Sequence, residues 1–310
     1  MRSCIVHDGS AFDTGYAWAA LAEQRFNPSG EQLKALVSTE WLAQELVASD
    51  LVVFDASWYM PAEKREARAE FRQAHIPGAR FFDIDAVADT ASSLPHMVPA
   101  TAQFERMLGE LGVSNSSRIV FYDQKGIFSA PRAWWLMRLF GHEQCAVLDG
   151  GLPRWRAEDR PVQQGEAPTP AQASYRATLN ARHLRGLGDV LANLKSQREI
   201  VLDARSADRF HARAAEPRPG LRGGHVPGSH NLPFTELLTS AQTMLSVPEL
   251  RARFQTAGVD ANAAVITSCG SGLTAAVLSL GLEVAGLPMG ALYDGSWSEW
   301  GARTDTPIDV

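Results

Sequence analysis

The sequence has few cysteines, no cluster of basic residues and no long apolar run. Its three cysteines are Cys4, Cys145 and Cys269, and none of them belongs to a CxxC pair. This count and spacing predict neither a disulfide framework nor a zinc site, and reduced thiols are typical of a cytoplasmic protein. No stretch approaches the roughly 18 uncharged apolar residues that a membrane span needs. The net charge of −6 at pH 7, without a basic run, predicts no nucleic-acid-binding surface.

The remaining composition is that of an ordinary globular protein, with 45% hydrophobic and 21% charged residues. A chain of 310 residues is long enough for two domains. Residues 1–36 lack the basic start and the short apolar core of a signal peptide. We therefore expect them to form an N-terminal extension outside the folded domains.

The chain repeats itself at an interval of about 145 to 150 residues. Four landmarks occur twice in the same order: a strand-like run ending in Asp-Ala, a His-[Ile/Val]-Pro-Gly turn, a second apolar strand, and an Asp-Gly motif followed by tryptophan. They lie at 51–56 and 200–204, 75–79 and 225–229, 118–123 and 264–269, and 148–155 and 293–300. We interpret this order and spacing as a tandem duplication.

Within each half, short apolar strands alternate with helical patterns such as Pro131–Phe140 and Leu273–Ala285. This alternation predicts an α/β fold in which each domain has a mostly parallel sheet flanked by helices. The segment 158–177 contains several proline, glutamine and alanine residues, has little apolar periodicity and is expected to be a linker. The predicted domains are therefore residues 37–157 and 178–310.

Cys269 follows a predicted strand and precedes a Gly-Ser-Gly loop and an apolar helix. The carboxyl end of a parallel strand is where ligands bind in such sheets. The amides of the loop and the positive end of the next helix both favour the thiolate. We interpret Cys269 as a nucleophile, and the alternative is a buried core cysteine at a strand end.

These features together resemble the tandem-domain rhodanese-type sulfurtransferases. The resemblance covers about residues 37 to 303 and rests on the two copies, the His-[Ile/Val]-Pro-Gly signature in each, the strand-cysteine-loop-helix and Tyr293-Asp-Gly-Ser-Trp297. It implies two tandem rhodanese-like domains, of which the second is catalytic. Asp123 stands in the first copy where the second has Cys269. Because a carboxylate carries no transferable sulfur, the first copy is expected to be silent.

The loop after the cysteine is similar to that of the 3-mercaptopyruvate sulfurtransferase branch of the family. Thiosulfate-using members typically carry two basic residues where this chain has Gly270 and Ser271, and Leu273 stands where valine is more usual. The resemblance implies that Cys269 takes sulfur from 3-mercaptopyruvate as a persulfide and releases pyruvate. It implies an acceptor such as thioredoxin, a small thiol or cyanide, and no metal or organic cofactor. Ping-pong kinetics would follow.

The resemblance also assigns the residues that bind the donor. Arg209 and Arg218 match the paired substrate arginines of the family, and a planar guanidinium suits a carboxylate. The alternative is that both arginines are solvated surface residues. Glycines in the cysteine loop allow the backbone to direct amides at the sulfur. The donor-binding positions expected in this loop are Gly270, Gly272, Leu273 and Thr274.

Proton transfer is assigned by the resemblance to Ser271, His96 and Asp85, which match residues proposed to form a relay in this branch. A histidine is a suitable base near neutral pH. Since His96 and Asp85 lie in the first half, the site would straddle the two domains. The alternative is that Ser271 caps the following helix and that His96 and Asp85 form structural hydrogen bonds.

Three other functions compete with this hypothesis. A thiosulfate:cyanide sulfurtransferase would share the fold, although the neutral Gly270 and Ser271 count against it. A cysteine phosphatase of related fold would need an arginine six positions after the cysteine, where this chain has Ala275. A non-enzymatic sulfur carrier or binding module remains the alternative from another class, and the retained cysteine loop counts against it.

Overall fold

The computed structural model describes residues 33–310, and the first half of this range contains a five-stranded parallel sheet. The strand order is β1-β5-β4-β2-β3, and each neighbouring pair is parallel. The strands are β1 (Leu36–Val37), β2 (Leu51–Asp55), β3 (Arg80–Phe81), β4 (Arg118–Tyr122) and β5 (Cys145–Leu148).

The second half repeats this topology strand for strand. Its sheet has the order β6-β10-β9-β7-β8, again with every neighbouring pair parallel. The strands are β6 (Leu184–Arg185), β7 (Ile200–Asp203), β8 (His230–Asn231), β9 (Val265–Ser268) and β10 (Ala291–Tyr293). The predicted α/β fold with two parallel sheets is confirmed, and so is the duplication.

Helices flank both sheets, as expected for right-handed crossovers between parallel strands. None of the helices within residues 33–310 has the length and hydrophobicity that crossing a membrane requires. In the first half they are α1 (Thr39–Glu45), α2 (Ala67–Gln73), α3 (Ile84–Val87), α4 (Thr101–Glu110), α5 (Ala130–Leu139) and α6 (Gly151–Ala157). In the second they are α7 (Leu187–Ser196), α8 (Ala207–Phe210), α9 (Val247–Thr256), α10 (Ala275–Val284) and α11 (Ser296–Trp300), and short 3-10 helices lie at Pro61–Glu63, Ala181–His183 and Phe234–Leu237.

The two halves share one hydrophobic core, in which α5 packs against α10. Both helices are apolar around most of their circumference, which is typical of helices enclosed on all sides. The outer face of each sheet has a smaller core of its own. Strands buried on both faces explain the continuous apolar runs in β4 and β9. The ends of α5 and α10 that follow β4 and β9 are thereby fixed relative to each other.

The predicted extension and linker differ in how the structure describes them. Of residues 1–36, the first 32 lie outside the described residues, and Leu36 already belongs to β1, where it pairs with Val147. The segment 158–177 has almost no regular structure, yet it packs along the first half. Gln163 forms an antiparallel bridge with His75, and the Ala173 amide donates to the Gly109 carbonyl at 2.9 Å. Backbone hydrogen bonds to the first half therefore hold this segment in place.

Candidate active site

Cys269 lies directly after β9, at the carboxyl edge of the second sheet, and is only 1% exposed. Its amide donates to the Ser296 hydroxyl at 3.2 Å. Its carbonyl accepts from the Trp297 amide at 3.0 Å. The Asp-Gly-Ser-Trp motif therefore fixes the backbone of the cysteine, because α11 begins with these residues.

The loop after Cys269 is lined by open backbone donors. The amides of residues 270–275 donate no hydrogen bond to any residue of the described range. They lead directly into α10, a helix of ten residues whose N-terminal end carries partial positive charge. Such a group of amides forms a cradle for an anion, here the sulfur of Cys269 or an atom bound to it.

Two glycines shape this cradle for different reasons. Gly272 has a φ of +75°, a conformation that residues with a Cβ rarely adopt, and a Cβ there would lie 3.0 Å from the Asp294 carbonyl oxygen. A Cβ at Gly270 would lie 3.0 Å from Nη2 of Arg209. Gly270 therefore brings the Arg209 guanidinium next to the cysteine loop.

Arg209 is positioned by a buried carboxylate. The side chain of Glu216 is 1% exposed and accepts from Nη2 of Arg209 at 2.6 Å and from Nη1 of Arg205 at 2.9 Å. Arg205 is itself paired with Asp203 at the end of β7 and stacks on the Trp297 ring at 4.2 Å. The four paired side chains alternate in charge from Asp203 through Arg205 and Glu216 to Arg209. Their net charge is therefore close to zero, as burial requires.

Arg218 contrasts with Arg209, because its guanidinium has no hydrogen bond or ion pair within residues 33–310. Burial lowers the pKa of Arg218 from its ordinary value, while the nearby Cys269 and Asp85 raise it. The side chain remains a cation at neutral pH. A half-buried arginine without a protein partner is available to an anionic ligand.

His96 and Asp85 reach the site from the first half. His96 has a φ of +61°, and its side chain is 2% exposed. Its Nδ1 lies 2.9 Å from Oδ1 of Asp85, and this contact holds the ring beside the carboxylate. Trp58 completes the arrangement, because its indole donates to Oδ2 of Asp85 at 2.9 Å and packs edge-on against the His96 ring at 4.8 Å.

The pKa of His96 is lowered from its ordinary value, chiefly by burial. Asp85 opposes this effect, whereas the cations Arg132 and Arg218 reinforce it. The imidazole is therefore neutral at neutral pH and able to accept a proton. The contact with His96 in turn lowers the pKa of Asp85, which stays ionised.

The predicted relay is not joined at Ser271. Within the described range, Nε2 of His96 is buried without a hydrogen-bond partner, and Ser271 makes no hydrogen bond to it. Ser271 does not cap α10 either, since that position belongs to Thr274. Leu273 is buried and Thr274 is partly exposed. The structure thus brings His96 to Asp85 and leaves Ser271 as a separate member of the cysteine loop.

The first half shows what an anion does in the equivalent cradle. Asp123 follows β4 as Cys269 follows β9. Its Oδ2 accepts the amides of Phe128, Ser129 and Ala130 at 2.8, 2.9 and 3.0 Å, and its Oδ1 accepts the amide of Lys125 at 2.9 Å. The carboxylate fills the first cradle, while the second remains open to a ligand.

The part of the chain that the structure describes has no cluster of side chains that indicates a metal. Within residues 33–310, no group of three or more histidine, cysteine, aspartate or glutamate side chains is arranged to hold an ion. Cys145 and Cys269 are free thiols. The chemistry available at the site is therefore that of a cysteine in an amide cradle, two arginines and a buried neutral histidine.

Comparison with known proteins agrees with this geometry. The family model described as the rhodanese-like domain matches residues 38–158 and 187–303. The chain belongs to the rhodanese-like family. The predicted family is thereby confirmed, and each match covers four of the five strands of one sheet.

Three rhodanese-like relatives illustrate the similarity. The 3-mercaptopyruvate sulfurtransferase of Homo sapiens is 42% identical over 288 residues, which cover 91% of this chain and 96% of the relative. The thiosulfate sulfurtransferase of Rattus norvegicus is 43% identical over 277 residues, covering 87% and 93%. The crystal structure of SseA from Escherichia coli, a 3-mercaptopyruvate sulfotransferase, superposes with a TM-score of 0.77 at 38% identity and covers 85% of this chain and 99% of SseA.

Sequence reasoning missed three residues of this rhodanese-like site. Trp58, Glu216 and Arg132 contact the predicted residues but carry none of the predicted roles. For Arg132 a signal existed, because it is a charged residue within an almost wholly apolar helix. Trp58 and Glu216 gave no comparable signal, since their partners are distant in sequence or lie in an irregular loop.

Proposed function

We propose that the protein is a sulfurtransferase that moves sulfur from 3-mercaptopyruvate to a thiol or cyanide through a persulfide on Cys269. The observation that carries the proposal is the cradle of free amides around a buried cysteine, bordered by Arg209 and by the unpartnered Arg218. Two relatives of this chain are named for the same donor.

The first half-reaction forms the persulfide. The Cys269 thiolate attacks the sulfur of the donor, a sulfur–sulfur bond forms, and the carbon–sulfur bond breaks. Its electron pair leaves with the enolate of pyruvate, and the proton of the donor thiol ends on the methyl carbon. The amides of residues 270–275 stabilise the negative charge on the outer sulfur. A nucleophilic acceptor then attacks that sulfur and restores the thiolate.

The two arginines and His96 supply binding and proton transfer in this scheme. Arg218 lacks a protein partner and Arg209 lies beside Gly270, so a donor carboxylate and ketone would bind between them. The neutral His96 accepts the donor thiol proton and returns it to the enolate. Asp85 and Trp58 hold the ring, which makes them positioning residues.

A thiosulfate donor is the second candidate, because a thiosulfate sulfurtransferase is 43% identical to this chain. A dianion would also be attracted by Arg209 and Arg218. Position 270, however, offers no room for a basic side chain without displacing Arg209, whose Nη2 would lie 3.0 Å from a Cβ there. Gly270 and Ser271 also lack the basic side chains that thiosulfate-using members of the family typically carry, and this favours the monocarboxylate donor.

The remaining assignments are part of the same proposal. The silent domain comprises residues 37–157, the linker 158–177 and the catalytic domain 178–310. The acceptor is thioredoxin, a small thiol or cyanide, each of which is chemically able to attack a persulfide. The free thiols of Cys145 and Cys269 favour the cytoplasm.

The test is turnover with 3-mercaptopyruvate and with thiosulfate side by side, with cyanide as acceptor, for the wild type, Cys269→Ser and Cys145→Ser. Cys145 is the matched control, because it is a buried free cysteine whose thiol pKa burial raises to about 12. We expect a preference for 3-mercaptopyruvate, pyruvate release that Cys269→Ser abolishes, and near wild-type turnover in Cys145→Ser. Retained turnover in Cys269→Ser would refute the mechanism, and a preference for thiosulfate would refute the donor.

A further inference from the structure

Arg132 is a buried cation at the junction of the two halves. It lies in the first turn of α5, and its side chain is fully buried. Every other residue of this helix that is buried is uncharged. A buried charge of this kind is costly unless it is well paired, so its contacts indicate what it does.

Its guanidinium reaches three separate segments. Nη1 donates to the Gly272 carbonyl at 3.3 Å, and Nη2 donates to the Asp294 carboxylate at 2.7 Å and to the His96 carbonyl. The Trp135 ring lies 4.5 Å from the guanidinium carbon. The planar fork of an arginine is suited to three acceptors in fixed directions.

Each of these segments carries part of the candidate active site. Gly272 belongs to the cysteine loop, and His96 supplies the base. Asp294 accepts the Val98 amide at 2.8 Å through its other oxygen, so it also holds the loop that carries His96. His96 has a positive φ, a conformation that persists only where surrounding contacts impose it.

We propose that Arg132 is the positioning residue that holds the His96 loop and the Cys269 loop in register across the two halves. This inference rests on the proposed function, because it treats His96 as the base that serves Cys269. Among the described residues, Arg132 donates no hydrogen bond to the cysteine sulfur or to the histidine ring, since its hydrogen bonds go to backbone carbonyls and to Asp294.

The charge of Arg132 has a second effect on the same base. The charged groups that face His96 are Asp85 from α3, Arg132 from α5 and Arg218 from the loop before β8. Arg132 lowers the pKa of His96. Removing the cation should therefore let His96 take up a proton at higher pH, and the acid limb of the kcat profile should move to higher pH.

The experiment compares Arg132→Met, Arg132→Lys and the matched control Arg138→Met. Arg138 lies in the same helix and pairs across the halves with Glu283 of α10 at 3.2 Å, but it does not contact the cysteine loop. We expect Arg132→Met to lower kcat about 100-fold, as a small misplacement of reacting groups does, with KM changed little and the acid limb at higher pH. Arg132→Lys should keep the acid limb of the wild type but still lose kcat, because an ammonium group cannot replace the fork.

The control should stay within about twofold of the wild type, as expected for a partly exposed ion pair. The proposal is overturned if Arg132→Met keeps kcat within about threefold, or if Arg138→Met loses as much activity. If Arg132→Met fails to fold because Asp294 is left unpaired, Arg132→Met/Asp294→Asn removes that charge and receives the same measurements.

A second readout separates this inference from the proposed function. Alkylation of Cys269 by iodoacetamide can be measured without any sulfur donor. Its rate should be low in the intact site, because Cys269 is only 1% exposed. Loosening the loop should raise that rate in Arg132→Met but not in Arg138→Met. If the wild type turns over neither donor, the proposed function fails, while an unchanged alkylation rate in Arg132→Met would overturn the positioning role on its own.

Discussion

Replacing Gly272 by alanine should destabilise the protein and slow sulfur transfer. The φ of +75° at this position costs an alanine about 1–2 kcal/mol. The new Cβ would also lie 3.0 Å from the Asp294 carbonyl oxygen and 3.1 Å from Nη1 of Arg132. Neither neighbour can move freely, because one is backbone and the other is paired with Asp294 at 2.7 Å. Together these effects predict a loss of about 2–3 kcal/mol in the free energy of unfolding.

Gly270→Ala is the matched control, since this residue lies two positions away in the same loop and has no positive φ. The nearest atom to a Cβ there is Nη2 of Arg209, at the far end of a flexible side chain. We expect the free energy of unfolding to change by less than about 0.5 kcal/mol. The effect should instead be a higher KM for the donor, because Arg209 must shift to make room.

Urea unfolding followed by tryptophan fluorescence, together with steady-state kinetics, measures both effects. Gly272→Ala should lose stability and kcat, and Gly270→Ala should lose mainly apparent affinity for the donor. A Gly272→Ala protein as stable and as active as Gly270→Ala would show that the cradle does not depend on this conformation. The reasoning from backbone geometry to catalysis would then be wrong.

Two further predictions concern titrating carboxylates. Asp85→Asn removes the charge that raises the pKa of His96, so the acid limb of the kcat profile should move to lower pH, opposite to Arg132→Met; a shift to higher pH would contradict the pairing. Burial raises the pKa of Asp55 from 3.8 to about 6, so its contribution to stability is full below about pH 4 and is lost as the pH rises through about 6. This contribution to the free energy of unfolding amounts to about 3 kcal/mol. Asp55→Asn has no carboxyl group to titrate, so urea unfolding should show the wild type losing stability relative to the variant between about pH 4 and 8.

The features that sequence analysis predicted are those fixed by local patterns. The strand-like run 51–56 appears as β2 (Leu51–Asp55), and the helical pattern Pro131–Phe140 appears as α5 (Ala130–Leu139). Apolar runs bounded by turns determine such elements, and a duplicated order of landmarks determined the repeated topology. The placement of Cys269 at the carboxyl edge of its sheet followed from the same reasoning.

Local sequence patterns do not predict which residues far apart in the chain lie next to each other in the structure. Ser271 and His96 are 175 positions apart, and only the packed structure shows that no hydrogen bond joins them. Likewise, the role of Arg132 depends on how α5 packs against the second half, which no periodicity encodes. The composition of the proline-containing segment 158–177 predicts a linker, and only the structure shows that its backbone pairs with His75 and Gly109 of the first half.

The two halves exchange equivalent residues across their junction. Each half contains a loop that is closed by a backbone hydrogen bond of 2.8 Å. In the first half the Asp89 amide donates to the Met97 carbonyl, and in the second the Thr239 amide donates to the Thr243 carbonyl. The residues just before these carbonyls, His96 and Gln242, have φ values of +61° and +60°.

Each of these loops is held by an aspartate of the opposite half. Asp294 accepts the Val98 amide, and Asp149 accepts the Met244 amide, each at 2.8 Å. This contact brings His96 to the site of Cys269. Gln242 instead packs on Gly126, in the first-half loop whose amides bind the Asp123 carboxylate. Neither half contains both Cys269 and His96, so the proposed base reaches the cradle only through this exchange. The duplication, and not the cysteine loop alone, builds the site.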